Sequence, residues 1–146
     1  MTDALMLGWS QAQAAGRKSV YRKTLGFNMV LHLLIGLGCM FLPADLVSQT
    51  FGLPTPVPTG WIRGWGATLI LVTALYFPGL QDPLRSRAAN IIGIVGRVWM
   101  ATVWFFVWGF AGEGGFFWFG LFDLTFAVIL AWLYYRYCVA ELMSRP

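Results

Sequence analysis

The chain has few residues that can carry chemistry. Of its 146 residues, 11% are charged, two are cysteine and one is histidine. One histidine cannot supply both axial ligands of a bis-histidine haem, and no second one completes a zinc site. A haem shared between two copies or with a partner is the remaining alternative. We therefore expect no catalytic residue, no metal and no cofactor in the isolated chain, and enzyme activity is the less favoured class.

The two cysteines are expected to lie too far apart to react with each other. Cys39 falls in the far half of the first apolar run, and Cys138 falls at the end of the last. With a rise of ~1.5 Å per residue, they should be about 20 Å apart along the membrane normal. A disulfide needs Cα atoms within about 7 Å. Thiol–disulfide chemistry within one chain is therefore not expected.

Long apolar runs fill most of the chain, which is 58% hydrophobic. A helix needs about 20 mostly apolar residues to cross a ~30 Å hydrocarbon core. Four runs approach that length, over residues 25–42, 61–77, 89–110 and 116–135. We predict an all-α integral membrane protein with one domain, a four-helix bundle of antiparallel neighbours joined by short loops. Residues 1–24 precede it as a cytoplasmic or interfacial segment, either a surface helix or a disordered tail.

The basic residues predict the orientation. Eight of the ten lysines and arginines fall before the first run, between the second and third, or after the fourth. The positive-inside rule then places both termini in the cytoplasm of a multi-pass protein of the bacterial inner membrane. These residues flank the spans, where anionic phospholipid headgroups lie. Nucleic acid is therefore not expected as a partner.

Four ionisable residues fall within or at the edge of predicted spans: His32, Arg63, Arg97 and Asp123. Such residues are rare in membranes and are candidates for a site. Asp123 is expected to face the interior and pair with Arg97, which antiparallel helices place within ~8–10 Å in depth, or with Arg63. The pair is interpreted as fixing helix order; a proton or substrate relay and a contact to another subunit are alternatives. His32 is expected to hydrogen-bond to a helix backbone or a polar neighbour, and hydrogen bonding of a quinone by His32 or Tyr76 is a minor alternative.

A second group of residues predicts helix packing or a partner surface. Gly60 and Gly64 form a small-xxx-small pair, which allows close helix approach. Trp104 and Trp108 lie one turn apart in the third span, and Trp99 falls near its middle.

Two loop features complete the pattern. Prolines at alternate positions predict an extended strap over residues 52–60, along the outer surface. Asp82 followed by Pro83 predicts the start of the third helix, with Arg85 and Arg87 on its first turn.

Several of these residues also resemble a known family. Residues 51–135 are similar to the DoxX-like superfamily of small four-span bacterial membrane proteins, including the BphX-type proteins. The features that carry the resemblance are Phe51-Gly52-Leu53 before the strap, Trp61-x-Arg63-x-x-Gly66, Tyr76, Asp82-Pro83 and Gly96-Arg97. The resemblance implies a four-helix inner-membrane protein. Some relatives are associated with quinone-coupled thiosulfate or thiol oxidation, but this chain lacks the cysteine pair, so no catalytic residue is carried over.

The functional prediction follows from the near absence of chain outside the membrane. We expect an accessory, non-catalytic subunit of a larger inner-membrane energy-converting or oxidoreductase complex, packed through its helices and lipid. Self-association is the other expected partnership, with a quinone or lipid at a shared surface. The alternative is a small standalone transporter or quinone-linked redox protein that uses the intramembrane Arg/Asp/His cluster.

Overall fold

The fold is entirely helical over the part of the chain that the structure describes. This computed structural model describes residues 2–144, with side chains from residue 9 onward. No strand occurs within that range, so the prediction of an all-α protein is confirmed. The six helices are α1 (Thr2–Phe41), α2 (Ala44–Phe51), α3 (Gly60–Leu75), α4 (Phe77–Gln81), α5 (Arg87–Ala111) and α6 (Gly114–Met143).

Three of these helices are long and apolar enough to cross a membrane. The qualifying segments are Trp9–Phe41, Arg87–Ala111 and Gly114–Met143. Helix α1 runs without a break from Thr2 to Phe41, so it includes residues 2–24 of the predicted N-terminal segment. The predicted second span corresponds to α3, whose 16 residues rise by only about 24 Å.

Large apolar side chains point outward along these helices. Phe110 is 79% exposed, Trp61 is 71% exposed and Ile92 is 70% exposed. Exposed apolar area on this scale is unfavourable in water and favourable against lipid. The surface therefore agrees with the apolar composition of the long helices.

Helix α1 packs against α3 on one side and α6 on the other, and α5 packs against α6. Glycine permits the close approach of α1 and α3. A Cβ on Gly66 of α3 would lie 2.7 Å from the carbonyl oxygen of Gly36 and 2.8 Å from the Cβ of Cys39, both on α1. Larger residues at this crossing would push the two helices apart.

The prediction that Asp82 starts the third helix is wrong. Helix α5 begins at Arg87, and residues 83–86 form turns. The Asp82 carboxylate accepts a hydrogen bond from the backbone N–H of Arg85 at 3.3 Å, and its carbonyl accepts from Ser86 at 3.0 Å. Asp82 therefore closes the turn that precedes α5.

Three buried side chains, which form hydrogen bonds, hold this turn against the helices. Tyr21 of α1 donates its hydroxyl to the Asn90 side chain at 2.8 Å, and Asn90 donates to the carbonyl of Pro83 at 2.9 Å. The hydroxyl of Tyr134 donates to the same carbonyl at 3.3 Å. These bonds satisfy backbone that would otherwise be buried without a partner.

Candidate functional site

A buried ion pair joins α5 to α6. Arg97 Nη1 donates to Asp123 Oδ1 at 2.9 Å, and the two side chains are 2% and 14% exposed. The helices are antiparallel, so residues from opposite ends of the two spans meet at similar depth. The structure therefore forms the Arg97–Asp123 pair that the sequence predicts. Two charges this far from water stabilise the fold only when each is paired and hydrogen-bonded.

Two side chains of α1 also contact the guanidinium of Arg97. Its Nη2 donates to Asn28 Oδ1 and lies 3.0 Å from His32 Nε2. A guanidinium nitrogen can only donate, so His32 Nε2 accepts and the imidazole is neutral with its proton on Nδ1. This Nδ1–H has no partner among the described residues, and neither has Arg97 Nε.

Aromatic rings cover both sides of the guanidinium. The ring centroids of Tyr76 and Phe126 each lie 5.7 Å from Arg97 Cζ, a distance at which a cation is attracted to the ring face. Tyr76 also donates its hydroxyl to the carbonyl of Gly93 at 3.3 Å. A Cβ on Gly93 would collide with the Tyr76 ring, so glycine is what lets the end of α3 lie against α5.

Asp123 also anchors an indole. Its Oδ2 accepts a hydrogen bond from Trp104 Nε1 at 3.2 Å, so both carboxylate oxygens are occupied. Trp104 in turn packs against Trp65 of α3 and Phe119 of α6, with ring centroids 6.1 Å and 5.5 Å away. The ion pair and this aromatic group are therefore parts of one connected site.

A cavity of about 580 Å³ lies beside the ion pair. The polar residues His32, Arg97 and Asp123 line its inner side. Its rim is apolar and belongs to α3 and α5: Leu75 is 64% exposed and Trp99 is 66% exposed. The cavity therefore opens at the surface between these two helices. Its volume falls within the range of ordinary small-molecule sites.

Two contacts between α3 and α5 bound the opening. Tyr76 meets Gly93 at one end, and Trp65 meets Trp104 at the other. A second cavity of about 300 Å³ lies beyond the tryptophan contact, under the proline strap. Trp65, Trp104 and Phe119 line both cavities. These three rings thus form the wall between them.

The structure brings together three of the four predicted polar residues, His32, Arg97 and Asp123. Arg63 lies elsewhere, because its guanidinium donates to the carbonyl of Cys39 at 2.7 Å. The alternative pairing of Asp123 with Arg63 is therefore wrong. Cys39 and Cys138 are both free, as predicted.

The predicted packing residues divide into two kinds. Trp104 packs inside the chain, whereas Trp99 and Trp108 are 66% and 41% exposed. A Cβ added to Gly60 or Gly64 would have no other described part of the chain within 4 Å, so neither glycine serves a helix contact there. Gly36 and Gly66 take that role. The use of Gly60 and Gly64 as a packing surface for a partner helix stays a prediction.

Sequence reasoning missed two members of the site, Asn28 and Phe126, whereas Tyr76 was a minor candidate for hydrogen bonding to a quinone. One signal for Asn28 was present, because Asn28 and His32 are four residues apart and so share a helix face. Two polar side chains on one face of an apolar helix indicate a common buried partner. Nothing comparable singles out Phe126 among the other aromatic residues. Comparison of the chain with protein-family models, with curated proteins and with solved structures gives no match in any of the three.

Proposed function

We propose that this is an integral membrane protein that binds a lipid-soluble small molecule in the cavity between α3 and α5. The observation that carries the proposal is the position of the opening. The rim is apolar and exposed, while the inner side carries His32, Arg97 and Asp123. A molecule with an apolar body and a polar head fits that division, with its head at Arg97 and its body toward lipid.

The proposal includes four spans, with both termini in the cytoplasm of a bacterial inner membrane. Helix α3 alone is short, but α3 and α4 together follow α1 over a longer distance. Arg63 bonds the Cys39 carbonyl near one end, and Arg22 donates to the Leu80 carbonyl at 2.7 Å near the other. Between residues 22 and 39, α1 rises by about 26 Å. This length and the one-sided basic residues support a fourth crossing.

The site lies between those two contact points, at Asn28 and His32 of α1. This depth is that of the hydrocarbon core in the proposed orientation. A buried, hydrogen-bonded ion pair there costs desolvation energy that a purely structural apolar contact would avoid. Retaining it is consistent with a polar group that contacts a ligand. The alternative predicted from the sequence, a small standalone transporter or quinone-linked redox protein that uses this cluster, would need such a contact.

The accessory-subunit function remains a second candidate. The observation that favours it is the open face of α3, where Gly60 and Gly64 have no neighbour among the described residues, together with the exposed Trp99. Purification in a gentle detergent tests it. Larger subunits that co-purify with the wild-type chain but not with Gly64→Leu would support it. The resemblance to DoxX-like proteins is compatible with either candidate.

Selective filling of the cavity tests ligand binding. Gly96 of α5 lines the cavity and has open space around a Cβ, so Gly96→Phe should place its ring there. Gly109 is the matched control, because it has the same open space on the same helix but does not line the cavity. We expect a photoreactive long-chain alcohol to label the wild type and Gly109→Phe, and to label Gly96→Phe much less. Equal labelling of all three would contradict the proposal.

A further inference from the structure

A single group of aromatic side chains separates the larger cavity from the smaller one. Trp65, Trp104 and Phe119 line both cavities. Each of these rings contacts the other two, with centroids 5.3, 5.5 and 6.1 Å apart, a range in which aromatic rings attract one another. At these three positions the boundary between the cavities is therefore made by side chains, which can turn.

The smaller cavity suits an apolar group. Among the described side chains that line it, none is charged, and Ser48 and the tryptophan N–H groups are the polar ones. A charged group would lose its hydration there without gaining an opposite charge. At about 300 Å³, the cavity is roughly twice the size of an apolar cavity that admits one benzene ring. A short, uncharged hydrocarbon segment fits these limits.

Trp104 is the ring of this boundary that the polar residues hold in place. Its Nε1 donates to Asp123 Oδ2 at 3.2 Å, and the other oxygen of this carboxylate is bonded to Arg97. A hydrogen bond to a carboxylate is about twice as strong as one between neutral groups. Asp123 therefore fixes the rotation of the indole in addition to pairing with the arginine.

The indole has room to turn once that hydrogen bond is released. In a close-packed interior, a ring of this size cannot rotate without displacing its neighbours. Trp104 borders one cavity on each side, so rotation carries its ring into cavity space. The passage that it leaves joins the larger cavity to the smaller one beside Asp123.

The polar residues therefore have apolar space on two sides. On one side is the opening between α3 and α5, with Leu75 and Trp99 at its rim. On the other side, behind Trp104, is the smaller cavity. A polar group held near Arg97 and Asp123 can thus carry one apolar segment toward the opening and a second one past the indole.

We infer that the smaller cavity is a second compartment of the ligand site, that Trp104 is the gate to it, and that the ligand is a lipophile with its polar group between two apolar segments. The inference rests on the proposed function and adds the ligand's chemical class. Asp123 is a positioning residue for the gate, because it acts through the indole.

Two photoreactive alcohols with the same number of carbons test the inference. Both carry a diazirine at the end of a chain. The one-armed probe has a terminal hydroxyl and one long chain, whereas the two-armed probe has its hydroxyl within the chain and the diazirine on the shorter arm. The full-length protein is irradiated with each probe in phosphatidylcholine nanodiscs, and the adducts are located by mass spectrometry.

The measured quantity is the ratio of adducts in the smaller cavity to adducts in the larger one. Leu53 and Pro56 line only the smaller cavity, and Leu69 and Val72 line only the larger. We expect the ratio in the wild type to be at least about tenfold higher for the two-armed probe, because a hydroxyl left in the smaller cavity would be desolvated without a partner. Equal ratios for the two probes would overturn the inferred ligand class.

Substitution of the gate gives an independent readout. Trp104→Phe keeps a ring but has no N–H for Asp123, so the ratio for the two-armed probe should rise about tenfold. Trp108→Phe is the matched control, because Trp108 lies one turn further along α5 and lines neither cavity. A ratio that stays at the wild-type value in both Trp104→Phe and Trp104→Ala would contradict a gate at this position.

The route of entry separates this inference from the proposed function. Gly96→Phe fills the larger cavity, so combining it with Trp104→Phe should remove the adducts from both cavities. If only the adducts in the larger cavity disappear, the probe enters the smaller cavity from elsewhere, and the inference fails while the proposed function stands. If Gly96→Phe removes adducts from neither cavity, the proposed function fails and the inference fails with it.

Asp123→Asn tests the positioning role. Asparagine keeps an acceptor oxygen of similar shape but removes the charge that strengthens the hydrogen bond to Trp104. The ratio for the two-armed probe should therefore lie between those of the wild type and Trp104→Phe. A ratio equal to that of the wild type would show that the carboxylate does not hold the gate.

Discussion

Replacing Asp123 by alanine should destabilise the protein far more than replacing an exposed acid. The substitution removes the partner of Arg97, whose side chain is 2% exposed, and also removes the acceptor of Trp104 Nε1. Removing one member of a buried pair leaves an uncompensated charge and costs ~3–5 kcal/mol. Asn28 and His32 still contact the guanidinium, so we expect a loss near the lower end, about 3 kcal/mol.

The assay is thermal unfolding of the full-length chain in mild detergent, followed by size-exclusion fluorescence. For a chain of this length, 1 kcal/mol corresponds to roughly 2–4 °C, so Asp123→Ala should lower Tm by roughly 6–12 °C. Asp45→Ala is the control, because Asp45 lies exposed in the first turn of α2 and its interaction with the helix dipole is worth under about 1 kcal/mol.

A double-mutant cycle separates the ion pair from the loss of packing. Arg97→Ala and Asp123→Ala each leave a buried charge, whereas the double variant leaves none. The double variant should therefore lose less stability than the sum of the single losses, by about 1 kcal/mol or more. Additive losses, or equal Tm shifts for Asp123→Ala and Asp45→Ala, would refute the reasoning that the pair is buried and coupled.

The remaining predictions concern packing, topology and redox chemistry. Gly66→Ala should lower the free energy of unfolding by about 1–3 kcal/mol, because the new Cβ meets the backbone of α1. Gly64→Ala should leave the free energy of unfolding unchanged or raise it by up to about 1 kcal/mol through helix propensity. The same Tm shift for both variants would contradict the α1–α3 contact. In a chain without its native cysteines, Thr55→Cys and Ser86→Cys should react with membrane-impermeant reagents from opposite sides, and labelling of both from the periplasm would contradict four spans. The purified chain should show no stoichiometric haem, flavin or metal, so a Soret band or one metal per chain would make His32 a ligand.

The long helices and the ion pair were predictable because each follows from a strong one-dimensional constraint. A run of apolar residues must bury its backbone groups in a helix when it enters lipid. The depth of each residue then follows from the rise per residue. Arg97 and Asp123 come out within ~8–10 Å in depth on antiparallel helices, which an arginine side chain can bridge. Two charges in an apolar surrounding have few other partners. Arg63 at the edge of α3 was harder to judge, since a backbone carbonyl satisfies it equally well.

The rotation of each helix about its axis was not predictable, and this explains most of what was missed. Small residues permit close packing wherever they face another helix, but the pattern does not say which ones do. Gly60 and Gly64 fit the motif and face outward, whereas Gly36 and Gly66 form the contact. Neutral polar residues such as Asn28 are equally ambiguous, because an amide has several backbone and side-chain partners within reach.

The cavity is the feature furthest from the sequence, because it depends on what α3 and α5 leave between them. Both Gly93 and Gly96 lack a side chain on α5, yet the Tyr76 ring fills the space at Gly93 while the space at Gly96 stays open. Helix α3 is tied to α1 through Gly66, and α5 is tied to α6 through Arg97, so neither is drawn toward the other along its middle. The tyrosine contact and the Trp65–Trp104 contact close the two ends of the gap. In the orientation proposed above, an opening bounded in this way would face lipid at the depth of the ion pair, so the Arg97–Asp123 pair would lie within reach of the proposed ligand.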